Sequence, residues 1–154
     1  LNARMIEDGY LFIRGFHHRE KAIAAANWTR QAIADRGGLQ PDTPVEEGII
    51  GDENKSYAFF RQVEVAHGKP MLDVVDSPET FRFYEAIFGG PVLTFDKRWL
   101  RCMAKGGHNH FHYDNVYVGR GTSNRYTMWS ALSDINLQNG PLVICLGSHR
   151  HEKL

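Results

Sequence analysis

Turn chemistry sets the frame for the second half of this chain. Lys105-Gly106-Gly107, Gly119-Arg120-Gly121-Thr122-Ser123-Asn124 and Asn139-Gly140 fall at hairpin spacing, and glycine and asparagine accept the left-handed backbone that tight turns demand. The segments they separate are short and rich in apolar, aromatic and branched residues: Val92 to Met103, the run through His112 and Asp114, Arg125 to Leu132, and Pro141 to Leu146. That pattern predicts strands. The first half has a different period. Between Arg19 and about Arg36, Ala22, Ile23, Ala26, Thr29 and Ile33 share one helical face, which Gly37-Gly38 terminates. A second helix opens at Asp76-Ser77-Pro78-Glu79, with Ser77 as N-cap and Pro78 at the first position, where its missing N–H costs nothing. It runs through Phe81, Tyr84 and Ile87 to Gly89-Gly90-Pro91. Glu7-Asp8-Gly9 reads as a turn before a strand at Tyr10 to Phe16, Ala58 to Val65 alternates as another strand, and Gln40 to Ser56 reads as an irregular loop. The sum is an α+β chain, mainly β, whose first helix lies outside the sheet and whose second half is an antiparallel barrel or sandwich.

A length of 154 residues suits one domain, burying about 70% of the surface exposed when unfolded. The 18 basic and 18 acidic side chains cancel without forming runs, so neither nucleic acid nor an anionic membrane surface is indicated and a small-molecule partner is expected. No apolar stretch approaches the roughly 20 residues of a membrane helix. Cys102 and Cys145 each lie in an apolar stretch and nothing at the N-terminus reads as a signal peptide, which favours a reduced, cytoplasmic protein. The chain opens at Leu1 without a methionine and closes after the charged Arg150-His151-Glu152-Lys153 patch, so truncation or disorder is an open reading of either end.

The chemistry concentrates in Gly107-His108-Asn109-His110-Phe111-His112-Tyr113-Asp114-Asn115-Val116-Tyr117. On an extended strand, residues two apart point the same way, so His112 and Asp114 present an imidazole and a carboxylate on one face. Adding a second histidine would complete the facial arrangement that holds non-haem Fe(II) with positions left open. His108 and His110 share that face, so a surface zinc site or a plain polar strand explains the same residues. Lys97, Trp99 and Arg101 share a face of their strand, and an inward Arg101 would require an anion. Arg61 is either a surface charge or points toward an anionic ligand. Trp28 reads as core packing, His149 as a turn cap, and His17, His18 and His67 as solvated.

From Trp99 to Arg150 the chain resembles the phytanoyl-CoA dioxygenase family of Fe(II)- and 2-oxoglutarate-dependent oxygenases. The likeness is carried by Trp99-Leu100-Arg101, by His112-Tyr113-Asp114 continuing to Thr122, by Met128-Trp129, and by Asn139-Gly140-Pro141-Leu142 leading to Gly147-Ser148-His149-Arg150. Glu7-Asp8-Gly9-Tyr10 and the helix after it are similar to the family's opening. The resemblance implies a double-stranded β-helix, a cupin-like jelly-roll barrel with helices outside, of which these residues cover only part, so a domain truncated at its C-terminus is the expectation it implies. It implies Fe(II) held by His112, Asp114 and a later histidine. It places Trp129 beside 2-oxoglutarate, with Arg101 and Arg61 as looser matches to positions approaching that cosubstrate. The implied reaction uses O2, converts 2-oxoglutarate to succinate and hydroxylates a small organic substrate. The third ligand, and an arginine pairing with the far carboxylate of 2-oxoglutarate, are expected beyond Leu154, with His149 and His151 as in-chain alternatives for the ligand. The competing readings are a cupin-type metalloenzyme not using 2-oxoglutarate and a catalytically inactive metal-binding barrel.

Overall fold

The computed structural model describes residues 1–59, 62–119, 121–122 and 124–151. Among these the regular structure is mostly helical: α1 (Asn2–Asp8), α2 (Arg19–Ala34), α3 (Val63–Ala66), α4 (Lys69–Val75) and α5 (Pro78–Phe88), with one antiparallel pair, β1 (Tyr57–Ala58) and β2 (Arg101–Cys102). Short 3-10 turns occupy Val45–Glu47, Asp114–Val116, Leu137–Asn139 and Ser148–Arg150.

The alanine-rich sequence of α2 favours helix, and its small side chains let α4 and α3 pack closely. Its buried stripe is Ala25, Ala26, Thr29, Ala32 and Ile33. Ile23, expected on that stripe, is exposed, because at 3.6 residues per turn it lies about 120° around the helix from the stripe's centre. Met71 and Val74 of α4, Val65 of α3, and Tyr57, Phe59 and Leu100 complete the core. Phe59 and Val74 are fully buried, each worth about 1.5–3 kcal/mol of apolar transfer. The expectation that α2 packs outside a sheet is therefore corrected: it packs on other helices, and the small sheet closes one side of that helical core.

That sheet extends beyond its two paired residues. Phe59 N–H donates to Leu100 O at 2.9 Å, Ala104 N–H to Ser56 Oγ at 2.8 Å and Lys105 N–H to Glu53 O at 2.7 Å, with Lys105 Nζ 3.0 Å from the Glu53 carboxylate. This zipper delivers the chain to the Gly106-Gly107 turn, directly before the histidines.

Ser77 caps α5 as the sequence predicts, its Oγ accepting from Thr80 N–H at 3.2 Å, and Gly89 ends the helix in the left-handed region. An aromatic column then runs from Phe16 through Phe83, Tyr84 and Phe88 to Tyr126, with successive ring centroids 5.1–6.0 Å apart. Burial in this column pushes the Tyr84 phenol up to about 12.

The strand expectations need correction. Tyr10 to Phe16 is irregular, and Glu7-Asp8 ends α1 rather than forming a free turn. The segment expected as a strand from Ala58 to Val65 starts as β1 and ends in α3. In Val92 to Met103 only Arg101–Cys102 pairs, the His-x-Asp segment bends into a 3-10 turn, and 125–132 and 141–146 lack ladder partners among the described residues. No jelly-roll is present among the described residues. A strand is defined by hydrogen bonds to a neighbour, and an extended segment without one leaves its N–H and C=O groups to water. Leu93 is fully exposed, Leu137 is 90% exposed and Leu146 79%, so the apolar faces of these segments also lack cover.

Candidate metal centre

His112 and Asp114 come together because Tyr113 between them is extended, at φ −119° and ψ 142°, which puts the side chains on either side of it on the same side of the backbone; the 3-10 turn begins only at Asp114. His112 Nε2 lies 3.6 Å from Asp114 Oδ1. That is too long for a hydrogen bond, yet a single ion about 2.1 Å from each donor can bridge it. His112 Nδ1 lies 2.7 Å from the carbonyl of His110. The carbonyl can only accept, so Nδ1 carries the proton and the lone pair resides on Nε2, the atom facing the carboxylate. Tyr117 packs edge-on against the His112 ring, centroids 5.2 Å apart. The other carboxylate oxygen, Oδ2, accepts from the Thr127 hydroxyl. Both side chains remain partly open, 37% and 45% exposed. One imidazole and one carboxylate, each oriented by an outer partner and with free donor atoms facing each other, are a donor set suited to a divalent transition metal.

The remaining sequence candidates are placed elsewhere. Arg101 sits on β2 opposite Ala58, its side chain exposed while Leu100 and Cys102 turn toward the core. Lys97 lies over the Trp99 ring at 5.2 Å. Trp129 is half exposed, two residues beyond Thr127. Among the described residues neither Arg101 nor Trp129 is bonded to the His112–Asp114 pair, and Arg61 lies outside the described residues. His108 and His110 pack edge-on against each other at 5.3 Å. Among the described residues no group of three or more His, Cys, Asp or Glu side chains is placed to hold an ion. His149 is committed to α1: its Nε2 is 3.1 Å from Ile6 O, and Arg150 donates to Glu7 O, so the two satisfy carbonyls at the C-terminal end of that helix. Gly9, at φ 78°, makes the fit tight, since a Cβ there would lie 2.3 Å from the His149 ring.

Two histidines read as solvated prove partnered. His17 Nε2 lies 2.8 Å from Ser130 Oγ, and burial lowers its pKa; His67 lies 3.7 Å from Asp96. Sequence reasoning also missed Thr127 and the role of Tyr117; the only hint of Thr127 was its parity with Trp129. Cys102 and Cys145 are both free thiols, and burial raises the Cys102 pKa. No helix is long and apolar enough to cross a membrane among the described residues.

The chain is 26% identical to the 1-deoxypentalenic acid 11-beta-hydroxylase of Streptomyces arenae over 151 residues, covering 94% of this chain and 52% of that protein. It is 24% identical to the protein of the same name from Streptomyces exfoliatus, with the same coverage. It thus spans about half the length of the curated relatives it matches. No solved structure matches it. Residues 5–154 match the phytanoyl-CoA dioxygenase (PhyH) family, so that nearly the whole sequence, the His112–Asp114 turn included, is covered, and the chain belongs to that family.

Proposed function

We propose that this chain supplies His112 and Asp114 as two ligands of Fe(II) in a 2-oxoglutarate-dependent oxygenase that hydroxylates a small organic molecule. The observation that carries this reading is the free Nε2 of His112, its tautomer set by the His110 carbonyl, facing Asp114 Oδ1 at 3.6 Å. Family membership and the hydroxylase names of the relatives support it. Bound there, iron would supply oxidation of the substrate by O2, coupled to conversion of 2-oxoglutarate to succinate and CO2. The chain's own residues hold the ion, orient the two donors, and offer Trp129 as the apolar wall for the cosubstrate. Arg101 keeps only the looser match to a cosubstrate-approaching position that the family resemblance gives it, since its side chain is exposed on β2. The third ligand and the arginine for the far carboxylate lie in further chain beyond Leu154, together with the strands that turn the extended segments 92–103, 107–117, 125–132 and 141–146 into a jelly-roll. The relatives' greater length and the uncovered Leu93, Leu137 and Leu146 support that completion. A reduced, cytoplasmic setting suits both Fe(II) and two free thiols.

The test is anaerobic reconstitution of the intact protein with Fe(II), followed by iron analysis and succinate measurement after addition of 2-oxoglutarate and O2. Iron is expected to remain bound in the parent and to be lost in His112→Ala and Asp114→Ala, with succinate formed only when iron is present. Stoichiometric iron in His112→Ala would overturn the ligand assignment; iron without succinate would identify a metal-binding barrel instead. For Trp129, addition of 2-oxoglutarate is expected to quench tryptophan fluorescence only in the metal-loaded protein. Equal quenching of the apoprotein and of Trp129→Phe would reject that placement.

A further inference from the structure

We propose that Thr127 is a positioning residue for the metal-binding carboxylate: its hydroxyl donates to Asp114 Oδ2 and so holds Oδ1 toward His112. The inference rests on the metal reading of His112 and Asp114. A carboxylate free to rotate about its last bond presents its oxygens interchangeably, and both can turn to solvent; one oxygen tied to a fixed donor leaves the other with a defined direction.

Thr127 can act as such a donor because its segment is anchored on both sides. Tyr126 stacks on Phe88 of α5 at 5.4 Å, Ser130 meets His17 at 2.8 Å, and Leu132 packs against the core. Arg125 donates to Val118 O, tying the same segment to the chain just past the 3-10 turn. The hydroxyl thus comes from a strand-like segment pinned to the helical layer, while Asp114 lies on an exposed turn. The two ligands receive matching support, a backbone carbonyl behind His112 and a hydroxyl behind Asp114. Outer partners of this kind typically contribute 10–100-fold to metal affinity.

The experiment is a Co(II) titration of the intact protein, followed by visible absorption, for the parent, Thr127→Val and Thr127→Ser. Valine keeps the shape without the hydroxyl, and because Thr127 is exposed, its loss is expected to leave the melting temperature nearly unchanged. Thr127→Val is expected to bind Co(II) about 10–100-fold more weakly with an altered absorption band, and Thr127→Ser to recover most of the affinity. If Thr127→Val binds as tightly as the parent, or if Thr127→Ser is as weak as Thr127→Val, the positioning role is refuted while the metal site stands. If the parent itself binds no Co(II), the metal reading falls and the role of Thr127 falls with it.

Discussion

Burial favours the neutral ring of His17 in its place. Half-buried beside Phe16 and bonded to Ser130, it has its pKa lowered below the ordinary 6.5 by burial. The charged groups lining the same crevice are His18, Lys21 of α2, Asp73 of α4 and Glu79 of α5. The unfolded chain takes up this proton near pH 6.5 and the folded chain only at lower pH. The stabilisation is therefore complete above about pH 6.5 and is lost as pH falls from there through the folded value. Melting temperature is expected to drop on acidification across that window, and His17→Gln, which keeps a hydrogen-bonding group without titrating, is expected to flatten the drop. The same pH slope in parent and variant would show that His17 is not responsible. Glu79 acts in a separate window: its own backbone N–H first, then Ser77, Lys21 and Arg82, hold its carboxyl below the usual range. Its contribution is lost only as pH falls through that lowered value. At this scale the sequence identified His112 and Asp114 as a pair because their type and spacing carry the chemistry. It misread His17, because solvation depends on what folds over a residue, here a segment 113 positions away.

Among the elements, α5 links the core to the candidate site, since its N-terminus is fixed by Ser77 and its aromatic face holds Tyr126 beside Thr127. Ser77→Ala leaves a helix N–H without its partner and is expected to cost about 1 kcal/mol, measured by urea denaturation. Gly38 is the other sensitive position: a Cβ there would lie 2.3 Å from the Tyr57 hydroxyl and 2.6 Å from an Ile33 methyl, so Gly38→Ala forces these buried side chains to shift. The expected loss is about 1–3 kcal/mol; an unchanged urea midpoint would show that Tyr57 moves aside freely. Two helices, α2 and α5, are legible in the sequence alone, since both run long enough to show period and carry stop or cap residues. The others are not. α1 and α4 are seven residues each, less than two full turns, and their stability comes from docking rather than from pattern.

For the whole molecule, the described residues divide into a packed helical layer and extended segments whose apolar faces are open. A polypeptide of just these 154 residues is expected to bind the dye ANS strongly at Leu93, Leu137 and Leu146, and a longer chain completing the barrel to bind much less. Weak ANS binding by the 154-residue polypeptide would mean that those segments find cover within it. The sequence by itself determined α2, α5 and the capping of α5, the turn positions and the spacing of a carboxylate–imidazole pair, because each depends on residues close together along the chain. Only the tertiary structure decided which extended segments become strands and that Thr127 reaches Asp114. Those outcomes depend on hydrogen-bond partners distant in the chain, and such partners leave no local periodicity to read.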